Sequence, residues 1–261
     1  MDRMPEISDG GSSGAPLPTS RRQGGRPRTI PEQVADDLAV AIMQGQYRAG
    51  ERVLEQEISE LYGVSRGPVR EAIRALEKRG LVEFFPRRGA YVVGVSLDLF
   101  ADLFNVRAAL IGMAARCLAV SAPQDALEDL TRRITQLKSC TAALDPMAFA
   151  TEVGGVTRAL YSRCGNVPLG RILHDQQENS LWGLVWRAQA LDFHTLERRQ
   201  QSAQDWSAVA SAIGAGNANK AERLTREAMA RSRNMALSTL AQLKGETVHP
   251  DKLFKDGNVS R

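Results

Sequence analysis

Aromatic residues make up only 5% of the 261-residue chain, and cysteine occurs three times, at 117, 140 and 164. An odd number of cysteines with no CxxC spacing gives no disulfide framework and points to a reducing cytosol. No apolar run reaches 18 residues, so no membrane span is predicted. The N-terminus lacks the apolar core of a signal peptide, so export is not expected. Also missing are a nucleophile motif, a glycine-rich phosphate loop, a metal-ligand cluster and carboxylates paired at a useful spacing. These gaps weigh against an enzyme, for instance a DNA-binding head fused to a catalytic bundle. What remains is a chain that is 43% apolar, rich in helix formers and long enough for two modest domains or one large one. Its net charge of +4 and pI near 9.1 lean mildly toward polyanionic partners.

Residues 1–28 are rich in Gly, Ser and Pro and end in RRQGGRPR. That composition cannot bury enough apolar surface to offset chain entropy, so a disordered arm is predicted. Its basic tip holds Arg21, Arg22, Arg26 and Arg28, and GGRPR also resembles the core of an AT-hook, which follows the minor groove. A solvated basic tail and a minor-groove reader are both open readings of it.

Residues 29–95 read as one small domain. Val34, Leu38, Ala41 and Ile42 repeat at helical spacing up to Gly45, and a short helix carrying Ile58 and Leu61 precedes a turn at Gly63. In GVSRGPVREAIRALEKRGLVEFF, Ser65 is an N-cap candidate, Pro68 falls in the first turn, and Val69, Ile73 and Leu76 make an apolar face. Arg66, Arg70 and Arg74 then line a stripe that points away from the core. After Gly80 the period becomes two, and LVEFFPRRGAYV reads as a hairpin with Arg87 and Arg88 at its tip. Three helices, a glycine turn and a basic hairpin describe a winged helix-turn-helix, whose last helix enters the major groove of DNA. An arginine there can grip guanine or pin a phosphate. The alternative, a merely solvated charged face, leaves the glycine turn and the wing unexplained.

Residues 97–244 read as helical throughout. Leu99, Leu103, Val106, Leu110, Met113 and Leu118 run along one long helix, and further helices begin near Pro123, Pro146, Asn166, Asp192 and Asn217. About six helices with no strand pattern predict an antiparallel all-α bundle. Residues 245–261 read as a tail. The whole is therefore mainly α, with an N-terminal winged helix-turn-helix followed by a helical bundle.

The stretch GVSRGPVREAIRALEKRGLV resembles the DNA-binding domain of the GntR family of bacterial transcription regulators. VRAAL at 106–110, CGNVPL at 164–169 and AIGAGNANKAE at 212–222 are similar to the FCD effector domain of its FadR subfamily. The resemblance implies a ligand-responsive regulator, more often a repressor, that binds a palindromic double-stranded DNA operator as a cytoplasmic homodimer. It assigns DNA contacts to Gln56, Ser65, Arg66, Gly67, Arg70, Arg88 and Gly89. Gln56 stands where the family usually has arginine, and Gly67 where threonine is more common. Many FCD domains hold a metal through an aspartate and three histidines, and these positions align with Val153, Thr157, Trp206 and Ala228. None can be the expected ligand, and His174, His194 and His249 fit none of those places, so no metal and no cofactor are expected.

An effector then needs a protein cation. Arg107, alone within the apolar LFNVRAALIGM, could hold a carboxylate or acyl derivative through two parallel hydrogen bonds. An arginine paired with an acid at a surface is the equal alternative. Trp182, Trp186 and Trp206 could wall the pocket, or be plain core. An architectural DNA-binding dimer with no effector is the competing function.

Overall fold

The computed structural model describes residues 28–43, 45–93, 96–142, 145–179, 182, 183, 186 and 190–248. The predicted arm up to residue 27, with Arg21, Arg22 and Arg26, lies outside these, as do the tail from 249 and His249.

Helix α1 spans Ile30–Met43 and packs Val34 and Leu38 onto α3 (Arg66–Lys78), which returns Val69, Ile73 and Leu76 to the same core. Truncating one such buried side chain costs roughly 2–5 kcal/mol, because the cavity adds to the lost transfer energy. Between them α2 (Glu55–Tyr62) ends at Gly63, whose φ of 61° lies in the left-handed region where glycine is not strained. Of the two residues expected to anchor α2, Ile58 is buried and Leu61 is exposed. With only eight residues, α2 presents one turn of apolar face, and Ile58 fills it.

The hairpin is present as β2 (Val82–Phe85) and β3 (Gly89–Val92), but the sheet has a third strand. Strand β1 (Arg52–Val53) pairs antiparallel with β3, setting Arg52 opposite Tyr91 in the order β1-β3-β2. Two residues carry no period of their own, which is why the sequence pattern did not mark them.

The remaining described helices are α4 (Leu97–Ser121), α5 (Gln124–Ser139), α6 (Pro146–Ser162), α7 (Val167–Asn179), α8 (Leu196–Gly214) and α9 (Ala218–Lys244). Side-chain caps fix several starts: Ser96, Asp145, Thr195 and Asn217 each accept a hydrogen bond from a first-turn amide. Helix α9 runs antiparallel along α4, with Arg116 bonded to Asn219 and Asn105 to Arg233. At Gly112 the two helices come so close that a Cβ would meet the Arg226 side chain at 2.9 Å.

Helix α4 is long and apolar enough to cross a membrane by length and composition. Its core side is Phe100, Phe104, Arg107, Ile111 and Leu118, while Leu99, Val106 and Met113 of the expected apolar row are exposed. The helix is apolar on two faces, and one of them is used within the protomer.

Candidate nucleic-acid interface and effector site

Helix α3 presents Arg66, Gly67, Arg70 and Arg74 to solvent while its buried face holds it on α1. Ser65 takes the N-cap position with extended backbone, yet its hydroxyl bonds no helix amide. A cap reaches the second or third helical N–H, and Pro68, the third residue here, has none to offer, which leaves only the Gly67 amide within reach. The exposed Ser65 hydroxyl thus remains at the helix N-terminus, where the partial positive charge favours a phosphate.

The two leading arginines are held by α2. Arg66 Nη2 donates to Gln56 Oε1 at 3.3 Å, and Arg70 Nε donates to Glu55 Oε2 at 2.8 Å. Gln56 is fixed in turn by its own donation to Glu60 Oε1 at 3.0 Å. Sequence reasoning named Gln56 but missed Glu55. The carboxylate lies 15 residues from its partner, and only the packing of α2 on α3 brings them together.

At the wing, Arg87 adopts a φ of 63° and Gly89 a φ of 92°, so the tip turns tightly and displays Arg87 and Arg88. A Cβ on Gly89 would lie 3.4 Å from Arg52 Nη2. Arg52, also missed by the sequence pattern, thus joins the wing arginines from strand β1. Arg28, the last of the predicted arm arginines, is bonded to Asp36 of α1, which also receives Arg79 Nη1 at 2.8 Å.

In the bundle, Arg107 is 2% exposed. It donates to Gln177 Oε1 at 2.9 Å and to the Leu173 carbonyl at 3.5 Å, and its guanidinium lies 5.0 Å from the Trp182 ring centre. Among the described residues no carboxylate pairs with it. Burial pushes its pKa down to about 10, with Tyr161 acting weakly the other way. Phe100, Phe104 and Trp186 complete an aromatic cluster around Trp182. The Tyr161 hydroxyl and Trp186 Nε1 are buried without a hydrogen-bond partner. A desolvated cation with unmet polar atoms beside it suits an anionic ligand with an apolar body. Trp206, also 2% exposed, makes no ring contact with this cluster among the described residues.

The positions aligned with metal ligands do not fit a metal. Val153 and Ala228 have no donor, Trp206 only donates, and Thr157 Oγ1 bonds the Gly154 carbonyl of its own helix. Beside them Arg231 grips Asp205 through two bonds of 2.9 Å, so an ion pair ties α8 to α9 there. A second buried pair, Arg198 with Asp192 at 2.8 Å, also reaches Ser232. Burial pushes the Asp192 carboxyl up despite the arginine.

Two family profiles match the chain. The profile of bacterial regulatory proteins, gntR family, matches residues 30–92, and that of the FCD domain matches 102–231. The chain is similar to the HTH-type transcriptional regulator YdhC of Bacillus subtilis, at 29% identity over 40% of this chain and 46% of that protein. It is also similar to a probable D-xylose utilization operon transcriptional repressor of Paenarthrobacter nicotinovorans, at 30% identity over 55% of this chain and 63% of that one. The chain thus spans about half the length of these relatives. Among solved structures it resembles Lar, which controls expression of the Listeria monocytogenes agr system, with a TM-score of 0.60 and 19% identity over 81% of this chain and 98% of that one. It also resembles McbR/YncC of Escherichia coli, with a TM-score of 0.57 and 19% identity over 83% and 99%. At that identity the two structures bear on the fold alone.

Proposed function

Because the chain belongs to the GntR family of bacterial regulatory proteins and carries an FCD domain behind its winged helix, we propose that it is a transcription regulator that binds DNA and answers to a small molecule. One observation carries the DNA half. Arg66, Arg70 and the free Ser65 hydroxyl stand together at the exposed start of α3, and Arg88 is exposed on the wing. The site is a palindromic operator and the binding species a homodimer, as in the reading of the motif. Repression is favoured by similarity to proteins named as the D-xylose and gluconate operon repressors. A cytoplasmic location follows from the same reading.

Arg107 supports the effector half. A buried arginine that no described carboxylate neutralises calls for an anion, and the surrounding rings call for an apolar body on it. The effector is therefore a carboxylate of an apolar or aromatic skeleton, bound without metal. The rival reading, a DNA-binding dimer with no effector, draws on Trp182 already covering the guanidinium. A thermal-shift series of aliphatic and aromatic carboxylates separates them, because a ligand specific to the fold raises its melting temperature by mass action. A hit must also change operator affinity in a gel-shift titration. No shift with any acid would leave the rival reading standing.

A further inference from the structure

The wing carries a third arginine, supplied by strand β1. The register sets Arg52 and Glu83 opposite Tyr91 and sets Phe85 opposite Gly89, while Val53, Val82, Ala90 and Val92 are buried on the other face. Side chains alternate along a strand, so Arg52, Glu83, Phe85, Gly89 and Tyr91 share the outer face. Arg52 is exposed, yet its side chain lies along the sheet. Its Nη2, Nε and Cζ stand 3.4, 3.5 and 3.9 Å from the place a Cβ on Gly89 would take, so the guanidinium rests against the glycine. The acid on the same face, Glu83, is two strands away, roughly 9–10 Å across the sheet. No described side chain bonds Arg52, so its charge is available.

We propose that Arg52 is a phosphate clamp, which grips the sugar–phosphate strand bordering the groove that the wing tip enters. This rests on the DNA-binding reading above and adds a positioning residue to it. Level decides between phosphate and base. Gly89 is the first residue of β3, and Pro86, Arg87 and Arg88 lie beyond it at the exposed turn. The Arg52 guanidinium stops level with Gly89, so it trails the tip by at least one residue, about 3.3 Å, and by the length of the tip side chains. The grooves of B-DNA are roughly 7.5–8.5 Å deep. With the tip arginines at base depth, Arg52 stands at the rim, where the phosphates are.

Gly89 matters to this contact twice. Its φ of 92° lets the chain leave the turn, and its missing side chain leaves room for the guanidinium to lie along the wing. An arginine already laid toward the tip has less rotamer freedom to lose on binding than one that sweeps through solvent. Contacts to phosphate fix the protein on the duplex and carry no sequence information, so Arg52 sets the wing in place and leaves reading to other residues.

The full chain is titrated against two duplexes of equal length, one that the wild type selects from a random-sequence pool and one unselected. Arg52→Ala should weaken binding to both by the same factor, about three- to tenfold, and lower the slope of log affinity against log salt by about 0.9, one counterion. Arg52→Lys should recover most of the affinity and the slope, because a phosphate accepts a point charge. Melting temperatures should not move, since the side chain is exposed and bonds no described neighbour. Unchanged affinity and slope in Arg52→Ala would overturn the clamp and leave the DNA-binding reading intact. A loss confined to the selected duplex, with no recovery by lysine, would make Arg52 a base reader and overturn it too. Weaker binding with a matching fall in melting temperature would reduce the residue to a part of the sheet. A wild type that binds neither duplex would sink the DNA-binding reading and the clamp with it.

Discussion

The arginines that carry the two proposed sites, one in the winged helix and one in the helical domain, sit in opposite settings. In the first, Arg66, Arg70, Arg74, Arg87 and Arg88 all face water, and those with partners lean on single side chains of α2. In the second, Arg107 and Arg199 are buried, and Arg199 holds the Thr141 and Phe193 carbonyls at 2.8 Å each. Exposed charge in high dielectric adds little to folding, so the arginines of α3 are free to serve DNA. Buried charge is coupled to the fold, and its removal changes stability and ligand response together. At these positions the same residue type therefore marks a separable function in one region and an inseparable one in the other.

The largest effect should fall on the separable side. Arg66→Ala and Arg70→Ala should each weaken operator binding by roughly 1–3 kcal/mol, about 5- to 150-fold. Melting temperatures should stay within a degree or two, since neither side chain packs in the core. Gel-shift titration beside a thermal melt reads both. Wild-type operator affinity in either variant would break the assignment of α3 to the groove.

On the coupled side, Arg107→Met should stabilise the fold and abolish the response to any carboxylate that shifts the wild type. The pKa of about 10 lies below the ordinary value, so the charged form is the one that burial disfavours. At pH 7 the arginine carries that cost, and an apolar chain of similar length does not. The gain should be roughly 1–3 kcal/mol, reduced by the loss of the bonds to Gln177 and Leu173. Operator binding without ligand should be unchanged. A destabilised Arg107→Met protein would mean that the hydrogen bonds outweigh the desolvation.

How much of this was readable beforehand follows from the range of the forces. The winged helix is written in local signals: an apolar period of 3.6 residues, a glycine with positive φ at 63, and a period of two after Gly80. In the helical domain four of the five later helix starts were legible for the same reason, whereas the one expected near Asp192 falls at Leu196, behind the Thr195 cap. The inward face of α4 was not, because Leu99, Val106 and Met113 are as apolar as Phe100, Phe104 and Ile111. Burial of a row is decided by which helices pack on it, and sequence spacing within α4 carries no trace of α9. Glu55 and Arg52 escaped notice similarly, since each acts through a neighbour supplied by the fold.

A smaller effect would sharpen the role of α2 as a holder. Glu55→Gln should release Arg70 and remove a negative charge from the DNA-facing surface. Affinity for random DNA should rise by roughly three- to tenfold, and the ratio of operator to random binding should fall, because steering is gained and positioning lost. The fold should change by less than about 1 kcal/mol, as expected for a pair this exposed. An unchanged specificity ratio would reduce Glu55 to a bystander.

The smallest predicted effect concerns Gly67, which stands where the family more often has threonine. No heavy atom lies within 4 Å of the position its Cβ would take, and its φ is not in the left-handed region. Gly67→Thr should therefore enter without strain. Replacing glycine in the first turn of α3 should add a few tenths of a kcal/mol of helix stability, because the unfolded chain has less freedom to lose. The new hydroxyl points to the same solvent-facing side as Arg66 and Arg70, where it can meet a phosphate. Operator affinity should rise by about two- to fivefold with a rise in melting temperature near 1 °C. A neutral contact of this kind changes all DNA sequences alike, so operator and random DNA should gain together. If only the operator gained, position 67 would read bases, and the groove-facing side of α3 would have to be rotated toward it.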